Sequence, residues 1–435
     1  MESKQKRQNS PCQVLASFTE ISPDVSKRHG VLNSSLAAEQ NTRPAPAGVL
    51  RFFFRRGSAK VFVKTTDIDP ELWRATFGTG YKNFEYYRLI EDTVQTGFTY
   101  RYLVLFDLEE RPIALQPLII TDQDLATAIN GRVGRAIKAI RTRLPRFLYS
   151  RMLMAGCLVG DGKLGIVPGV NPIFASDLLA EALQHLARSE AISLITIKDF
   201  SPNLRSNLRP LVRGGYTRLD GFPSLHLDLN FSSVEEYMRQ CLSRVTRKSF
   251  RRKLKKTAAV IPSIELEVRN DCSEMIDEIY PLYLNVAQRS EVTFEVFTKE
   301  YFLEASRRMP ERVRYFIWRQ NGKAIAFSFC TIWGDTIYDN DIGLDYAVAH
   351  ELNLYYLTFH DILDWALKNQ LRFYETAPFN YEMKLHLRLC PSHLDLYIRH
   401  SSPVINLLLK FVAPVFAPAK SDPALRKYFR VHNGA

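Results

Sequence analysis

Residues 102–119 read Tyr-Leu-Val-Leu-Phe-Asp-Leu-Glu-Glu-Arg-Pro-Ile-Ala-Leu-Gln-Pro-Leu-Ile, and residues 314–331 read Arg-Tyr-Phe-Ile-Trp-Arg-Gln-Asn-Gly-Lys-Ala-Ile-Ala-Phe-Ser-Phe-Cys-Thr. The two stretches align without gaps and place Ile113-Ala114 on Ile325-Ala326. Each is an apolar strand, a polar turn and a second strand, and Asn321-Gly322 is a strong hairpin-turn signal. Downstream of each, a helical pattern precedes another strand: Ala180–Arg188 leads to Ile192–Ile197, and Leu352–Lys368 leads to Leu371–Tyr374. A hairpin, helix and strand occurring twice predict two similar α/β (α+β) domains in tandem.

The first copy is 33 residues longer than the second between hairpin and strand, and the excess falls around 121–155. There Ile129, Val133, Ile137, Ile140 and Leu144 recur at helical spacing, with Arg132, Arg135, Lys138, Arg141 and Arg143 between them. This pattern predicts a basic amphipathic helix ending at Pro145, either packed on its own domain or touching an anionic membrane. A denser basic run, Arg244–Lys256, follows the first copy, with eight basic residues in 13 positions. On a helix Arg244, Arg247, Lys248, Arg251 and Lys255 share one stripe, expected as an anion-binding surface at the junction of the copies. The predicted organisation is a disordered tail at 1–48, a first copy at 49–230 with the basic insertion 121–155, a linker helix at 231–262, and a second copy at 263–435.

Composition narrows the function classes. The chain has 435 residues, 46% hydrophobic and 24% charged, with 27 Phe and 20 Tyr, which is ample for folded cores. No apolar run is long enough to cross a bilayer; Pro403–Pro418 is broken by Lys410 and Pro414. The N-terminus has no apolar leader, and a cytoplasmic location is expected. The six cysteines show no metal-ligand spacing and are expected as free thiols, with no metal site. A net charge of +12 suits an anionic partner such as a nucleic acid, a phospholipid surface or a coenzyme A thioester. No Gly-x-Ser-x-Gly elbow or phosphate-binding fingerprint is present.

Five groups of segments share one pattern: Leu227-Asp228-Leu229 with Ser233–Met238 and the basic run; Ile279–Tyr283 with Gln288–Ser290 and Phe294-Glu295; Asn321–Ala326; Asp335–Asp345; and Tyr381-Glu-Met-Lys384 with Leu396–Arg399 and Pro403–Asn406. Together they resemble the tandem GNAT-fold acyltransferases of the FemAB-like and BioF2-like (CelD/BcsL) group. The resemblance spans roughly 95–418 and implies two GNAT folds sharing a cleft. It implies acyl transfer from an acyl-CoA co-substrate to an amine acceptor, or from an aminoacyl-tRNA donor. A non-catalytic protein binding RNA or an anionic membrane is the alternative from another class. Where relatives carry a Gly-rich pyrophosphate loop, this chain has Tyr346–Leu354, with no glycine and with Asn353 at one glycine position. His350 and Asn353, within that stretch, are candidate substrate-binding residues, and the resemblance singles out Lys384 for a substrate carboxylate or phosphate. Asp341, near the end of Tyr338–Gly343, is the candidate general base, expected to share a face with Asp339. Tyr381 is the candidate to return a proton or orient the substrate.

Overall fold

The computed structural model describes residues 50–126, 131–290 and 294–432, the side chains of 131 and 132 excepted. The tail expected at 1–48 and the expected helix position Ile129 lie outside the described residues.

Two sheets carry the fold. The first contains β1 (Leu50–Phe54), β2 (Gly57–Phe62), β3 (Phe98–Phe106), β4 (Pro112–Asp124), β5 (Tyr149–Ala155), β6 (Gly165–Ile166), β7 (Leu194–Phe200) and β8 (Thr217–Asp220). The second contains β9 (Ser224–Asp228), β10 (Ile264–Arg269), β11 (Val313–Gln320), β12 (Lys323–Trp333), β13 (Thr336–Leu344), β14 (Phe373–Thr376) and β15 (Cys390–Ser392). A last strand, β16 (Asp395–His400), returns to the first sheet.

The repeated segments are the hairpins β3–β4 and β11–β12. At the second turn Asn321 and Gly322 have φ of 55° and 77°, and Gln320 pairs with Lys323. Positive φ at both central residues is the turn whose twist matches the flanking strands, which is why Asn-Gly occurs there. Each copy adds a third antiparallel strand and then one parallel pair, β5–β7 or β13–β14. Parallel neighbours need a crossover. The helices Pro172–Ser189 and Leu354–Lys368 supply it. The first is capped by Asn171, whose side chain accepts from the Ile173 amide, with Pro172 at its start.

The halves exchange strands, and a boundary between 230 and 263 therefore does not separate the sheets. β9 leaves the first half and pairs with β14 and β15; β16 leaves the second half and lies between β7 and β8. The crossings touch: the Gly221 amide donates to the Leu394 carbonyl at 2.8 Å, and a Cβ at Gly221 would sit 3.1 Å from that oxygen. Asp395 anchors β16 in its adopted sheet. Its carboxylate, 1% exposed, accepts from Arg205 Nε at 2.6 Å and Arg218 Nη1 at 2.9 Å. Burial pushes this carboxyl up, but the two arginines outweigh it and hold it below the ordinary range.

Three apolar cores follow. One lies between the first sheet and Pro172–Ser189, and one between the second sheet and Leu354–Lys368. The third joins the copies, packing Tyr87 and Ile90 with Tyr301 and Phe302. The basic helix, Arg244–Ala258, starts at Ser243, whose hydroxyl accepts from the Thr246 amide. It is built into the second copy rather than connecting the two, because buried Phe250 packs on Tyr356 and Phe359. The cysteine expectation needs one correction. Cys157, Cys241, Cys272 and Cys330 are free thiols, but Cys390 is disulfide-bonded.

Candidate active site

Charged and phenolic side chains from both copies share one environment, the candidate cleft. From the first copy come Tyr81, Lys82, Asp161, Lys198 and Asp199; from the second come Glu295, Tyr283, Tyr301, Tyr338, Asp341 and Glu375. Tyr81 stacks on Tyr338 with ring centroids 4.4 Å apart, and Lys198 Nζ lies 5.6 Å from the Phe294 ring. Lys82 Nζ donates to Asp161 Oδ1 at 2.9 Å; the Asp161 side chain is 62% exposed, so water reaches the pair. Strand ends position these groups: Gly156 and Cys157 follow β5, Lys198 and Asp199 close β7, and Glu375 is in β14. Open crevices in α/β sheets lie at such carboxyl ends.

The electrostatics single out three carboxyls. Burial pushes Asp341 up to about 8, with Glu295 and Asp339 adding to the rise. Burial likewise pushes Glu295 up to about 7; Lys198 pulls it back and Asp199 adds to it. The Glu295 carboxylate therefore disfavours ionisation of Asp341, and each is only half-buried. Tyr283 accepts a hydrogen bond from the Phe297 amide at 2.9 Å, which leaves its own proton to donate. Burial raises Tyr283 and Tyr301, and the nearby Asp341 adds to the rise, so both stay protonated. Glu375 is also pushed up to about 7 by burial, with Asp161 adding and Lys82 opposing.

Asp341 and Asp339 do not share a face. Phe329 opposes Asp341 and Cys330 opposes Asp339, so Asn340 is the extra residue of a bulge. Successive residues of β12 point to opposite faces, and the two aspartates follow them. Asp341 faces the tyrosines of the cleft. Asp339 accepts from the Tyr374 hydroxyl at 2.7 Å on the other side.

Lys384 belongs to that other side. Its ammonium donates to the Ala377 carbonyl at 2.7 Å and is nearly buried. Burial lowers it to about 8, with Asp339 opposing. It lies where β13 and β14 stop pairing, after Asp339–Thr376, and not beside Asp341. The Tyr381–Lys384 segment is also not a strand: positive φ at Phe379 and Asn380 turns the chain into the helix Tyr381–His386. Tyr381 is 1% exposed and its hydroxyl donates to the Pro223 carbonyl at 2.9 Å. That bond ties it to the strand crossing and removes it from proton transfer. We expect Tyr381→Phe to lower stability by about 1 kcal/mol in thermal unfolding and to leave turnover unchanged.

Asn353 caps Leu354–Lys368 with φ 50°, a left-handed conformation that asparagine tolerates in place of glycine. The loop before it is closed on itself: the amides of Val348 and Ala349 bond to the Asp345 carbonyl, and the Leu354 amide to that of Ala349. His350 is exposed on this loop and Asn353 half-buried. The basic stripe divides. Arg247 donates to the Arg239 carbonyl at 3.0 Å and Arg251 pairs with Glu235, whereas Arg244, Lys248 and Lys255 are exposed without an ion pair among the described residues. Lys253, outside the expected stripe, lies 3.5 Å from the ring centre of Tyr356 in the first turn of Leu354–Lys368. The helix also meets the loop through Thr257 Oγ1, which donates to the Leu352 carbonyl at 2.7 Å.

Sequence reasoning quoted Glu295 only as a landmark of the Phe-Glu pair, although a carboxylate flanked by aromatics was a usable signal. Lys82, Asp161, Lys198 and Glu375 carried no local signal, because only the meeting of two distant segments gives them a shared environment. Two open grooves of about 550 and 600 Å³ flank Ile173, one lined by Arg56 and Asp177 and the other by Arg205 and Arg218; neither is lined by the residues gathered above.

Comparison with known proteins adds a domain match in the second half. Residues 244–384 match the model "Acetyltransferase (GNAT) domain". A Mycobacterium tuberculosis protein (strain CDC 1551 / Oshkosh), provisionally named 8-amino-7-oxononanoate synthase 2, is 25% identical over 342 residues, covering 76% of this chain and 43% of its own length. The protein of the same name from strain ATCC 25618 / H37Rv matches equally. The chain thus spans less than half the length of these curated relatives. FemX overlays with a TM-score of 0.49 at 9% identity, covering 83% of this chain and all of FemX. A tandem GNAT protein from the clavulanic acid biosynthesis pathway overlays with a TM-score of 0.46 at 13% identity, covering 77% and 94%. With a GNAT domain matched in the second half and its hairpin–strand–helix–strand plan repeated in the first, the chain has a tandem GNAT-like fold and is similar to proteins of the FemAB-like and BioF2-like group.

Proposed function

We propose that the cleft transfers an acyl group from a coenzyme A thioester to an amine. The observation that carries this reading is the Glu295–Asp341 pair, with one carboxyl raised to about 7 and the other to about 8. Between about pH 7 and pH 8 such a pair holds about one proton, more of it on Asp341 than on Glu295. An amine arrives as an ammonium and attacks only once neutral. Glu295 takes its first proton. The nitrogen then bonds to the thioester carbon, and the carbon–sulfur bond breaks. Asp341 gives its proton to the departing thiolate and recovers one from the new amide nitrogen. The products are the amide and the free thiol, and the proton on Glu295 passes to solvent. Tyr283 and Tyr301 are protonated donors for the oxygen that carries charge in between.

The donor's phosphates have a cationic surface but few free loop amides. The internally bonded amides of 348, 349 and 354 leave the role to Lys253 and its neighbours Lys255 and Lys256. We expect Lys253→Ala to raise KM for the donor several-fold with kcat held, in steady-state kinetics. The function is tested by incubating the full chain with a panel of acyl-CoA thioesters and amines and reading thiol release. Amine-dependent release supports the reading. Inert thioesters with consumption of an aminoacyl-tRNA would replace the donor, and binding of RNA without transfer would replace the activity.

A further inference from the structure

The helix Pro403–Val412 is built inside out. None of its residues is buried, and Val404, Leu407, Leu408 and Phe411 are 69, 55, 57 and 72% exposed, followed by Val415 at 66% in the next turn. These positions repeat at helical spacing and form one apolar stripe, which a helix ordinarily turns toward a core. Here the polar side faces the protein. Asn406 accepts from the His400 amide and donates to the Gly215 carbonyl, both at 2.9 Å, fixing the helix against the first sheet. A contiguous apolar patch of this kind on a folded protein marks an interaction surface.

A second element at the same end of the sheet says what covers it. Leu194 pairs with Met152 on one side and with His400 on the other. The connection β4–β5 and the helix after β16 therefore emerge from one sheet end, two strand spacings or about 10 Å apart. That connection, 125–148, contains five Arg and one Lys and no Asp or Glu, and 401–421 contains no Asp or Glu either. Its helix Gly131–Arg141 is held by buried Ile137, while Arg135, Lys138, Arg143 and Arg146 are exposed without an ion pair among the described residues. Val133, Ile140 and Leu144 are exposed beside them. Lys198 and Asp199 lie toward the other end of β7, so an occupant here leaves the cleft open.

We propose that this end of the first sheet docks on an anionic membrane surface, with Pro403–Phe416 entering the headgroup layer and the 131–146 segment contacting lipid phosphates. An apolar stripe beside unpaired cations is the arrangement that binds such an interface. No helix among the described residues is long and apolar enough to cross a membrane, and the contact is peripheral.

Flotation of the full chain with vesicles tests this, using phosphatidylcholine alone and phosphatidylcholine mixed with phosphatidylglycerol. The expected result is binding to the anionic vesicles, weakened by salt, and much less to the neutral ones. Leu408→Glu with Phe411→Glu should weaken it about tenfold or more, since both changes put charge into the apolar layer. Arg135→Glu with Lys138→Glu and Arg143→Glu should weaken it similarly, and all these side chains are exposed, so melting should hold. Absence of binding to anionic vesicles, or binding indifferent to either set, overturns the proposal. So does a dimer in sedimentation velocity that Leu408→Glu with Phe411→Glu disperses, because the face would then cover a second copy.

Discussion

Glu295→Gln and Asp341→Asn, made singly, should each lower kcat/KM for acyl transfer by about 10²- to 10⁴-fold, the range expected when a positioned proton acceptor or donor is lost. Neither variant should unfold the protein. Asp341 has its folded pKa raised from 3.8 to about 8, so its carboxyl destabilises the native state increasingly as pH rises through that window. Asparagine at this position does not ionise. The melting temperature of Asp341→Asn relative to the unsubstituted protein should therefore climb between about pH 4 and pH 8. A variant that loses both activity and stability equally at every pH would place Asp341 in the core instead of the cleft.

The second large effect concerns the exchanged strands. Asp395→Ala removes a buried carboxylate that holds Arg205 and Arg218, and with them the seat of β16 in the first sheet. Loss of these charge-assisted hydrogen bonds should cost about 2–3 kcal/mol, since the half-exposed arginines rehydrate. Because β16 and β9 tie each half to the other's sheet, both halves should melt together and earlier, in one calorimetric transition. Two separated transitions would show that the exchange does not couple the halves.

The parts of this architecture legible in the sequence are those fixed by neighbouring residues. Asn321-Gly322 announced a hairpin because only a few residues accept positive φ twice in succession. The repeated hairpin, helix and strand announced two copies because apolar periodicity survives divergence. The strand exchange was not legible. Leu225 and Leu227 in β9 alternate as they would in either sheet, and periodicity does not name the partner. The placement of Asp339 and Asp341 on one face failed for a related reason: alternation assumes an unbroken strand, and the bulge at Asn340 reverses it. Lys384 and Tyr381 were picked by resemblance, and the structure gives them buried partners at Ala377 and Pro223 in place of the cleft. The basic run was read correctly as charged, but the pattern did not show that Arg247 and Arg251 would be engaged by the preceding helix while Lys253 reaches Tyr356. Pro403–Pro418 was legible only as a broken apolar run, and nothing in its spacing said that a helical stripe there would face outward.

In the proposed reaction the ionised member of the cleft pair receives the amine's proton. The pH dependence of kcat/KM, measured for the unsubstituted protein and for Glu295→Gln with one acyl-CoA and one amine, tests it directly. The expected profile has a limb that rises with an apparent pKa near 7, set by Glu295, and that limb disappears in the variant. An identical rising limb in both proteins would contradict it.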